Sequence, residues 1–175
     1  MQKHLIFLIA ILFSSTSFAL LIGKVNIQKV LITVKEGQVV RDKLKNSFDA
    51  KQKILKKEEG KIRKMQTDLQ KQGSILNAAA TSKRRLKIEE EIQKLQQKSM
   101  TYQKEIQEME QKLKKPILEN VKGIVEGVSK KSGVEMTFES STTPILYAKA
   151  EKDLTDDVIK AYDKKYKLIK KGKKK

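Results

Sequence analysis

Residues 83–115 read KRRLKIEEEIQKLQQKSMTYQKEIQEMEQKLKK, and this stretch decides the fold. Its apolar side chains recur at alternating spacings of four and three residues, which is the pattern of a helix that pairs with a second helix along a narrow seam. One position of the seam is weak, because the small polar Ser99 stands where a large apolar residue is expected. The predicted seam residues of this helix are Ile88, Ile92, Leu95, Tyr102, Ile106, Met109 and Leu113.

A second helical pattern lies upstream and begins at about Val39. A large apolar residue recurs there every seven positions, while the positions three further on are mostly polar, so only one column of the seam is strongly apolar. Small residues from Asn77 to Ser82 separate the two patterns. Asn77 is suited to ending one helix, and Thr81 or Ser82 to capping the next. The predicted seam residues of the first helix are Phe48, Leu55, Ile62, Leu69 and Leu76.

Together the two helices predict an antiparallel hairpin over residues 39–115, whose arms of about 35 residues would project roughly 50 Å at 1.5 Å per residue. A hairpin of that length has little core, so we expect it to bend easily unless something packs beside it. Gly60 and Gly73 lower the helix stability of the first arm, either because flexibility is wanted there or because these positions are under little constraint.

The segments flanking the hairpin predict a small body. Residues 22–32 begin with alternating apolar and polar side chains and predict a strand that runs into a short connection. Residues 134–139 and 145–148 predict two more strands, joined as a hairpin by a turn at 140–144.

Two helices complete the predicted body. Pro116 interrupts the return helix and either kinks or restarts it, after which residues 117–128 carry a wide apolar stripe that would pack on a sheet. A short amphipathic helix begins at Thr155. So small a body leaves exposed strand edges that would accept strands from other copies, so we expect an oligomer.

The predicted fold class is therefore α+β and predominantly helical, with a long antiparallel coiled-coil hairpin inserted into a small β-rich oligomerisation body. A lysine-rich tail closes the chain, is expected to be disordered beyond Ile169, and could lie on an anionic membrane or serve solubility. The predicted divisions are a signal peptide at 1–19, the body at 20–38 and 116–163, the arm at 39–115 and the tail at 164–175.

The first residues carry the pattern of a secretory signal peptide. Lys3 precedes an unbroken apolar run from Leu5 to Phe13, and small residues at Ser17 and Ala19 predict cleavage after Ala19. An uncleaved membrane anchor is the alternative, but the run is far shorter than the roughly 20 residues that span a bilayer. No second long apolar segment follows, so we expect a mature chain without a transmembrane segment, in the periplasm if the host has two membranes.

The side-chain chemistry argues against catalysis. The chain has no Cys, and its only histidine, His4, lies in the predicted signal peptide, which excludes Cys–His pairs, Ser–His–Asp triads, and zinc or haem sites with His or Cys ligands. No phosphate-binding glycine loop occurs. Acidic groups at residues 89–91, at Glu105 with Glu108, and at residues 156–157 fall on predicted solvated helix surfaces among lysines. We expect no enzyme, no cofactor and no metal site.

Positive charge is the strong chemical signal, since the chain has a formal net charge of +18. The outer hairpin is markedly cationic and could contact anionic lipid, acidic protein segments or nucleic acid, or simply be a solvated surface. Export and the scarcity of aromatics for base stacking argue against nucleic acid as the working partner. The candidate contacts are Lys61, Arg63, Lys64, Lys71, Lys83, Arg84, Arg85 and Lys87. Apolar residues left over from the seam, such as Ile54, Leu86 and Met100, are further candidate contacts.

In its order of segments the chain resembles the Skp (OmpH-like) family of periplasmic chaperones. The matching stretches are GKVNIQKVL near the predicted mature start, KMQTDLQKQ at residues 64–72, and GVEMTFESSTTPILYAKAEKDLTDDVIKAYDKKY from Gly133. Each stretch alone is weakly specific, whereas their order and spacing together make the match good. Pro116 and the long lysine tail depart from the family pattern.

The resemblance implies a homotrimer whose small bodies associate while three hairpins surround a cavity. Unfolded outer-membrane proteins would be held there without ATP until they are assembled, and contact with anionic lipid or lipopolysaccharide is also implied. The residues themselves leave another function open, an envelope scaffold or adhesion protein that binds anionic lipid or cell-surface polymer through its basic arms.

Overall fold

Two long helices joined by a short turn make up most of the described chain. A computed structural model describes residues 20–73, 75–143 and 145–172. The elements run in the order β1 (Ile22–Val25), α1 (Ile27–Thr33), α2 (Lys35–Gln72), α3 (Ala78–Ser132), β2 (Met136–Glu139), β3 (Glu151–Asp153) and α4 (Thr155–Gly172). The predicted fold class is confirmed, because the α2–α3 hairpin is inserted between strands of one small sheet. The predicted signal peptide, Ser74, Pro144 and residues 173–175 lie outside the described residues.

Helix α3 begins at a side-chain cap and ends at a glycine in the left-handed conformation. The Asn77 side chain accepts a 2.8 Å hydrogen bond from the Ala80 backbone N–H and so begins the helix. At the other end, Gly133 adopts the left-handed conformation with φ of 66°, which only glycine adopts without strain. The prediction that Thr81 or Ser82 caps this helix is wrong, since Asn77 fills that role. Of the two alternatives predicted at Pro116, a kink or a restart, the restart is wrong, because α3 runs through this residue.

The sheet has the order β2-β1-β3, and both pairs are parallel. The predicted antiparallel hairpin of residues 134–139 and 145–148 is therefore wrong. Residues 145–148 form no strand, and the third strand is the polar Glu151–Asp153, whose side chains are exposed. Its backbone groups still pair with β1. The strand therefore depends on main-chain hydrogen bonds, which a pattern of apolar side chains in the sequence cannot predict.

The strand predicted over residues 22–32 ends at Val25. Asn26 stops it, because its side chain accepts a 2.7 Å hydrogen bond from the Lys29 N–H and begins α1. The Asn26 backbone N–H in turn donates to the Thr155 hydroxyl, at 3.0 Å, so the starts of α1 and α4 are tied together.

The hydrophobic core lies where the base of the hairpin meets the sheet. Val40 of α2 and Ile117 of α3 belong to it, so the inner ends of both long helices are part of the body. The hairpin is therefore built into the core and does not hang from a linker. The buried core residues are Val25, Val30, Val34, Val40, Ile117, Val121, Val134, Leu154, Val158 and Tyr162.

Helix α4 locks the start of α2. The Asp163 carboxylate accepts a 2.9 Å hydrogen bond from the Lys35 backbone N–H and caps the first turn of α2 from across the body. The buried Tyr162 hydroxyl donates to the Glu36 carboxylate at 2.5 Å, and burial together with this bond raises the pKa of Tyr162. Helix α4 extends to Gly172, so the predicted disorder beyond Ile169 is wrong for residues 170–172.

The Glu139 carboxylate holds separate segments of the body together through hydrogen bonds. It accepts hydrogen bonds from the backbone N–H groups of Ile27 (3.1 Å), Ser141 (3.0 Å) and Thr142 (2.7 Å), and from the hydroxyls of Ser141 and Thr142. The hydroxyls of Ser141 and Thr142 are the main reason that the pKa of Glu139 falls to about 2. The ionised carboxylate thus joins the end of β2, the following turn and the first turn of α1.

We expect Glu139→Gln to destabilise the protein at neutral pH by about 1–3 kcal/mol, because an amide can accept fewer of these bonds. The folded-state pKa is depressed, so this contribution is complete above the unfolded value of 4.5 and is lost as the pH falls towards about 2. Urea unfolding at pH 7 and pH 3 checks this: the stability gap between wild type and variant should shrink at pH 3. A gap that is unchanged or wider at pH 3 would contradict it.

Candidate functional site

Polar contacts between α2 and α3 fix the register of the hairpin. Lys51 pairs with Glu105, and Lys98 Nζ lies 2.5 Å from Glu58 Oε1. Lys51 and Glu58 are one heptad apart in α2, and their partners Glu105 and Lys98 are one heptad apart in α3 in the reverse order. Nearer the turn, Arg84 donates to the Gln72 side-chain oxygen. This pair continues the same register, so the two helices run antiparallel without a slip from mid-arm to tip.

The predicted seam residues are unequally covered in the single chain. Ile62 and Ile88 are buried in the outer half of the arm, each 7% exposed, whereas Phe48 is 50% exposed. The structure therefore buries Ile62 and Ile88 in the outer half of the seam and leaves Phe48 of the inner half exposed. The partly buried seam residues are Leu55, Leu69, Leu76, Ile92, Leu95, Tyr102, Ile106, Met109 and Leu113.

In its inner half the seam opens into a gap of about 280 Å³ between the helices. Lys51 occupies one side of it, with its ammonium 4.2 Å from the centre of the Tyr102 ring, a cation–π geometry. The lining is mostly apolar, with side-chain amides at the rim. The lining residues are Phe48, Lys51, Gln52, Leu55, Ser99, Tyr102, Gln103, Ile106 and Gln107. A second, shallower opening in the outer half is lined by charged as well as apolar side chains.

The predicted cationic contacts all lie exposed on the outer half of the arm. Among the described residues, Arg63 is the one of this group that pairs with a carboxylate, that of Glu59 at 3.3 Å. Positive charge is therefore presented to solvent with little internal neutralisation. The residues of this cationic surface are Lys61, Arg63, Lys64, Lys71, Lys83, Arg84, Arg85 and Lys87.

Apolar side chains are also exposed along the arm. Leu86 and Met100 on α3 are 63% and 68% exposed, and Ile54 on α2 is also exposed. At the turn, Ile75 is 84% exposed. The arm surface thus combines positive charge with separate apolar side chains, a composition suited to many weak contacts with a flexible partner.

The acidic groups weighed as possible acid–base pairs lie beside lysines. Lys94 pairs with both Glu90 and Glu91, and its hydrogen bond to Glu90 lowers the pKa of that carboxyl. Glu105 pairs with Lys51, and Asp156 with Lys29. Across the described ranges, no cluster of acidic or histidine side chains is arranged to hold a metal ion.

Sequence reasoning missed the cross-helix ion pairs. Lys51 and Glu58 occupy the polar column of the first helix, which was interpreted only as a weakness of the seam. Their opposite charges match Glu105 and Lys98 in the reverse order along the second helix, which is the signal that could have found them. The gap in the inner half of the hairpin was not predicted either, although the small Ser99 in the seam indicated its position.

None of the helices in the described part of the chain combines the length and apolar character needed to cross a bilayer. Fold and site together define a class of protein in which a small sheet-and-helix body presents a long helical hairpin as its main surface.

Comparisons with known proteins agree. Residues 21–162 match the family model described as outer membrane protein (OmpH-like), so the chain belongs to the OmpH-like family, and the resemblance seen in the sequence is confirmed. The protein from Yersinia enterocolitica named chaperone protein Skp is 22% identical over 152 residues, covering 87% of this chain and 92% of that protein. The protein of the same name from Pectobacterium atrosepticum is 22% identical over 139 residues, covering 79% and 83%.

A solved structure shares the fold. The crystal structure of an OmpH-like protein from Caulobacter crescentus, assigned as an outer membrane chaperone, matches with a TM-score of 0.69 and covers 86% of this chain and 88% of its own. At 16% identity this match speaks for the fold alone. The named relatives place the chain in a family of chaperones.

Proposed function

We propose that the protein is an ATP-independent holding chaperone that binds unfolded outer-membrane proteins and prevents their aggregation before membrane insertion. It would work in the periplasm after cleavage of residues 1–19, as a homotrimer and without a cofactor. The arm, residues 39–115, holds the client, and the body, residues 20–38 and 116–163, holds the copies together.

The observation that carries this proposal is the surface of the arm. Exposed cations alternate there with isolated exposed apolar side chains such as Leu86 and Met100, and the inner seam lies open. An unfolded chain presents scattered apolar and charged groups in no fixed order. A long surface offering many weak contacts of both kinds suits such a partner better than a single shaped pocket, and positive charge would speed the capture of acidic segments.

Dilution of a urea-unfolded β-barrel membrane protein into buffer tests the function. With the protein present in a few-fold molar excess and no nucleotide, light scattering should stay low. Rapid aggregation at the rate seen with an inert protein of equal charge would count against a holding function. A basic control protein is needed because positive charge alone can slow aggregation.

One observation favours a second function, an envelope scaffold that binds anionic lipid. Ile75 projects from the arm tip among the cations of the outer hairpin, which is an arrangement that can dock on an anionic bilayer. Vesicles containing phosphatidylglycerol should then retain the protein, and vesicles of phosphatidylcholine should not.

We expect Lys83→Gln/Arg84→Gln/Arg85→Gln to weaken vesicle binding if the tip contacts lipid. Each basic residue near an anionic surface contributes about 1 kcal/mol, so the loss should exceed about 100-fold. The matched control removes three exposed charges from the middle of α2, at Lys53, Lys56 and Lys57. Equal losses in both variants would indicate non-specific attraction by net charge. Vesicle binding without any holding of unfolded protein would favour the scaffold function.

A further inference from the structure

The gap in the inner half of the hairpin is lined by apolar side chains and side-chain amides, with Lys51 as the one charged residue of its lining. We infer that it is a binding site for one large uncharged side chain, aromatic or branched aliphatic, of an unfolded polypeptide. This inference rests on the proposed holding function and names the part of the client that is recognised.

The gap arises from residue size. The pairs Lys51–Glu105 and Glu58–Lys98 hold the helices in one continuous register through this stretch, so no slip has opened the seam. Between these pairs, Ser99 occupies a seam position with a side chain too short to reach the partner helix. A paired coiled coil normally fills such a position with a large apolar knob.

The lining selects an uncharged group. Phe48, Leu55, Tyr102 and Ile106 supply apolar surface. The one charge in the lining, on Lys51, is already paired with Glu105 and lies over the Tyr102 ring. An entering charged side chain would lose its hydration without gaining a free partner, which is unfavourable, whereas an apolar group would gain by leaving water.

The rim suits a polypeptide. Gln52, Gln103 and Gln107 carry side-chain amides that can both donate and accept hydrogen bonds. A client residue whose side chain enters the gap would bring its backbone N–H and C=O groups to this rim. Amides can pair with those groups whatever the client sequence, so the site can select a side-chain type without reading a sequence.

The volume of the gap is enough for one large side chain. The gap of about 280 Å³ is far larger than the ~30 Å³ share of a water molecule and lies at the small end of ligand pockets, about 300–1,000 Å³. A helix from a second copy would need a continuous apolar groove, whereas Lys51 and the three glutamine side chains interrupt the apolar lining here.

Ser99→Leu tests the site because it supplies the missing knob. The matched control is Ser82→Leu, the same change at an exposed position of α3 near the turn. The probe is an unfolded, neutral polypeptide with a single tryptophan. Since the protein itself contains no tryptophan, the emission reports the probe alone.

With the wild type and with Ser82→Leu, we expect the probe emission to shift to the blue on binding. With Ser99→Leu, the affinity should fall about tenfold, which is the scale of one buried apolar side chain. The thermal midpoint of Ser99→Leu should rise because the seam is now filled, so the lost binding cannot be attributed to unfolding.

Each other outcome overturns the inference in its own way. If Ser99→Leu binds the probe as well as the wild type does, the gap is not the site and the holding function stands. If the wild type binds no unfolded polypeptide, the holding function fails as well. If sedimentation shows that Ser99→Leu changes the number of associated copies, the occupant is a second copy of this chain.

Discussion

Gly37→Ala should destabilise the body by about 3 kcal/mol, although the same change in an open helix is stabilising. Gly37 lies in the first turn of α2, where α1 crosses it. A Cβ atom there would collide with the Leu31 carbonyl oxygen and lie 3.3 Å from Val34 Cγ2. The oxygen is part of the α1 backbone and cannot rotate away, so the whole helix would have to shift.

Such a shift would disrupt the surrounding contacts. The Gln38 side chain donates to the Thr33 carbonyl at 3.0 Å, and Arg41 donates to that of Ile32, so the first turns of α2 cap the end of α1. Val34, between the two helices, is fully buried in the core. Moving α1 away from α2 would break the caps and open the core together.

Gly60→Ala is the matched control, because Gly60 lies in the same helix and no atom lies within 4 Å of a Cβ added there. That variant should gain about 0.5–1 kcal/mol. Urea unfolding followed by circular dichroism measures both. If Gly37→Ala were as stable as Gly60→Ala, the close crossing of α1 and α2 would be wrong.

The different surroundings of Gly37 and Gly60 could not be predicted from the sequence. In the sequence both are glycines near or within one predicted helix, and nothing local separates them. The difference comes from α1, whose residues were predicted as part of a strand that runs into a short connection. A close approach between two segments can be recognised only after both have been placed.

The hairpin was predictable because its signal is periodic over ten turns or so of helix, and heptad spacing leaves few alternatives. The sheet was not, since its strands are three or four residues long and one of them, Glu151–Asp153, carries no apolar residue. The strand β1 is also far in sequence from both of its partners. Parallel pairing of β1 with both others depends on the hairpin returning the chain to its start.

Some features of the candidate site could also be predicted from the sequence, and others could not. Charge can be counted in the sequence, so the exposed cations of the outer arm could be proposed in advance. The gap around Ser99 and the ion pair of Lys51 with Glu105 depend on the register of two helices, which the sequence of each helix leaves open. The hydrogen bonds to Glu139 depend on a turn and a strand register in the same manner.

Ile22→Lys/Met136→Glu should convert the protein from an oligomer to a monomer. In β1 the buried Gly23 and Val25 alternate with Ile22 and Lys24, so Ile22 and Lys24 point to the sheet face away from the helices. Met136 is the cross-strand partner of Ile22 and is 51% exposed. One face of a three-stranded sheet is thus left without a covering layer in the single chain, and a second layer is what such a face normally requires.

The substitutions are chosen to leave the monomer intact. Lysine and glutamate directly opposite each other on neighbouring strands attract, so the sheet itself should not be weakened. In an interface between copies, the same charges would be removed from water, which costs several kcal/mol per ion if they are imperfectly paired. Stable interfaces bury on the order of 1,000 Å² or more, and a central charge of this kind is enough to open one.

The matched control places the same two changes on the arm, as Ile54→Lys/Met100→Glu, because both residues are exposed there. Light-scattering mass should report a trimer for the wild type and the control, and a monomer for the sheet variant, with helical circular dichroism unchanged in all three. The monomer should also lose most of its ability to hold an unfolded barrel protein, since one arm cannot enclose a client. A sheet variant that keeps the mass of the wild type would show that copies associate elsewhere. A sheet variant that becomes monomeric but still holds clients would show that each arm acts alone. Client binding would then depend on contacts within the single hairpin, such as the gap at Ser99.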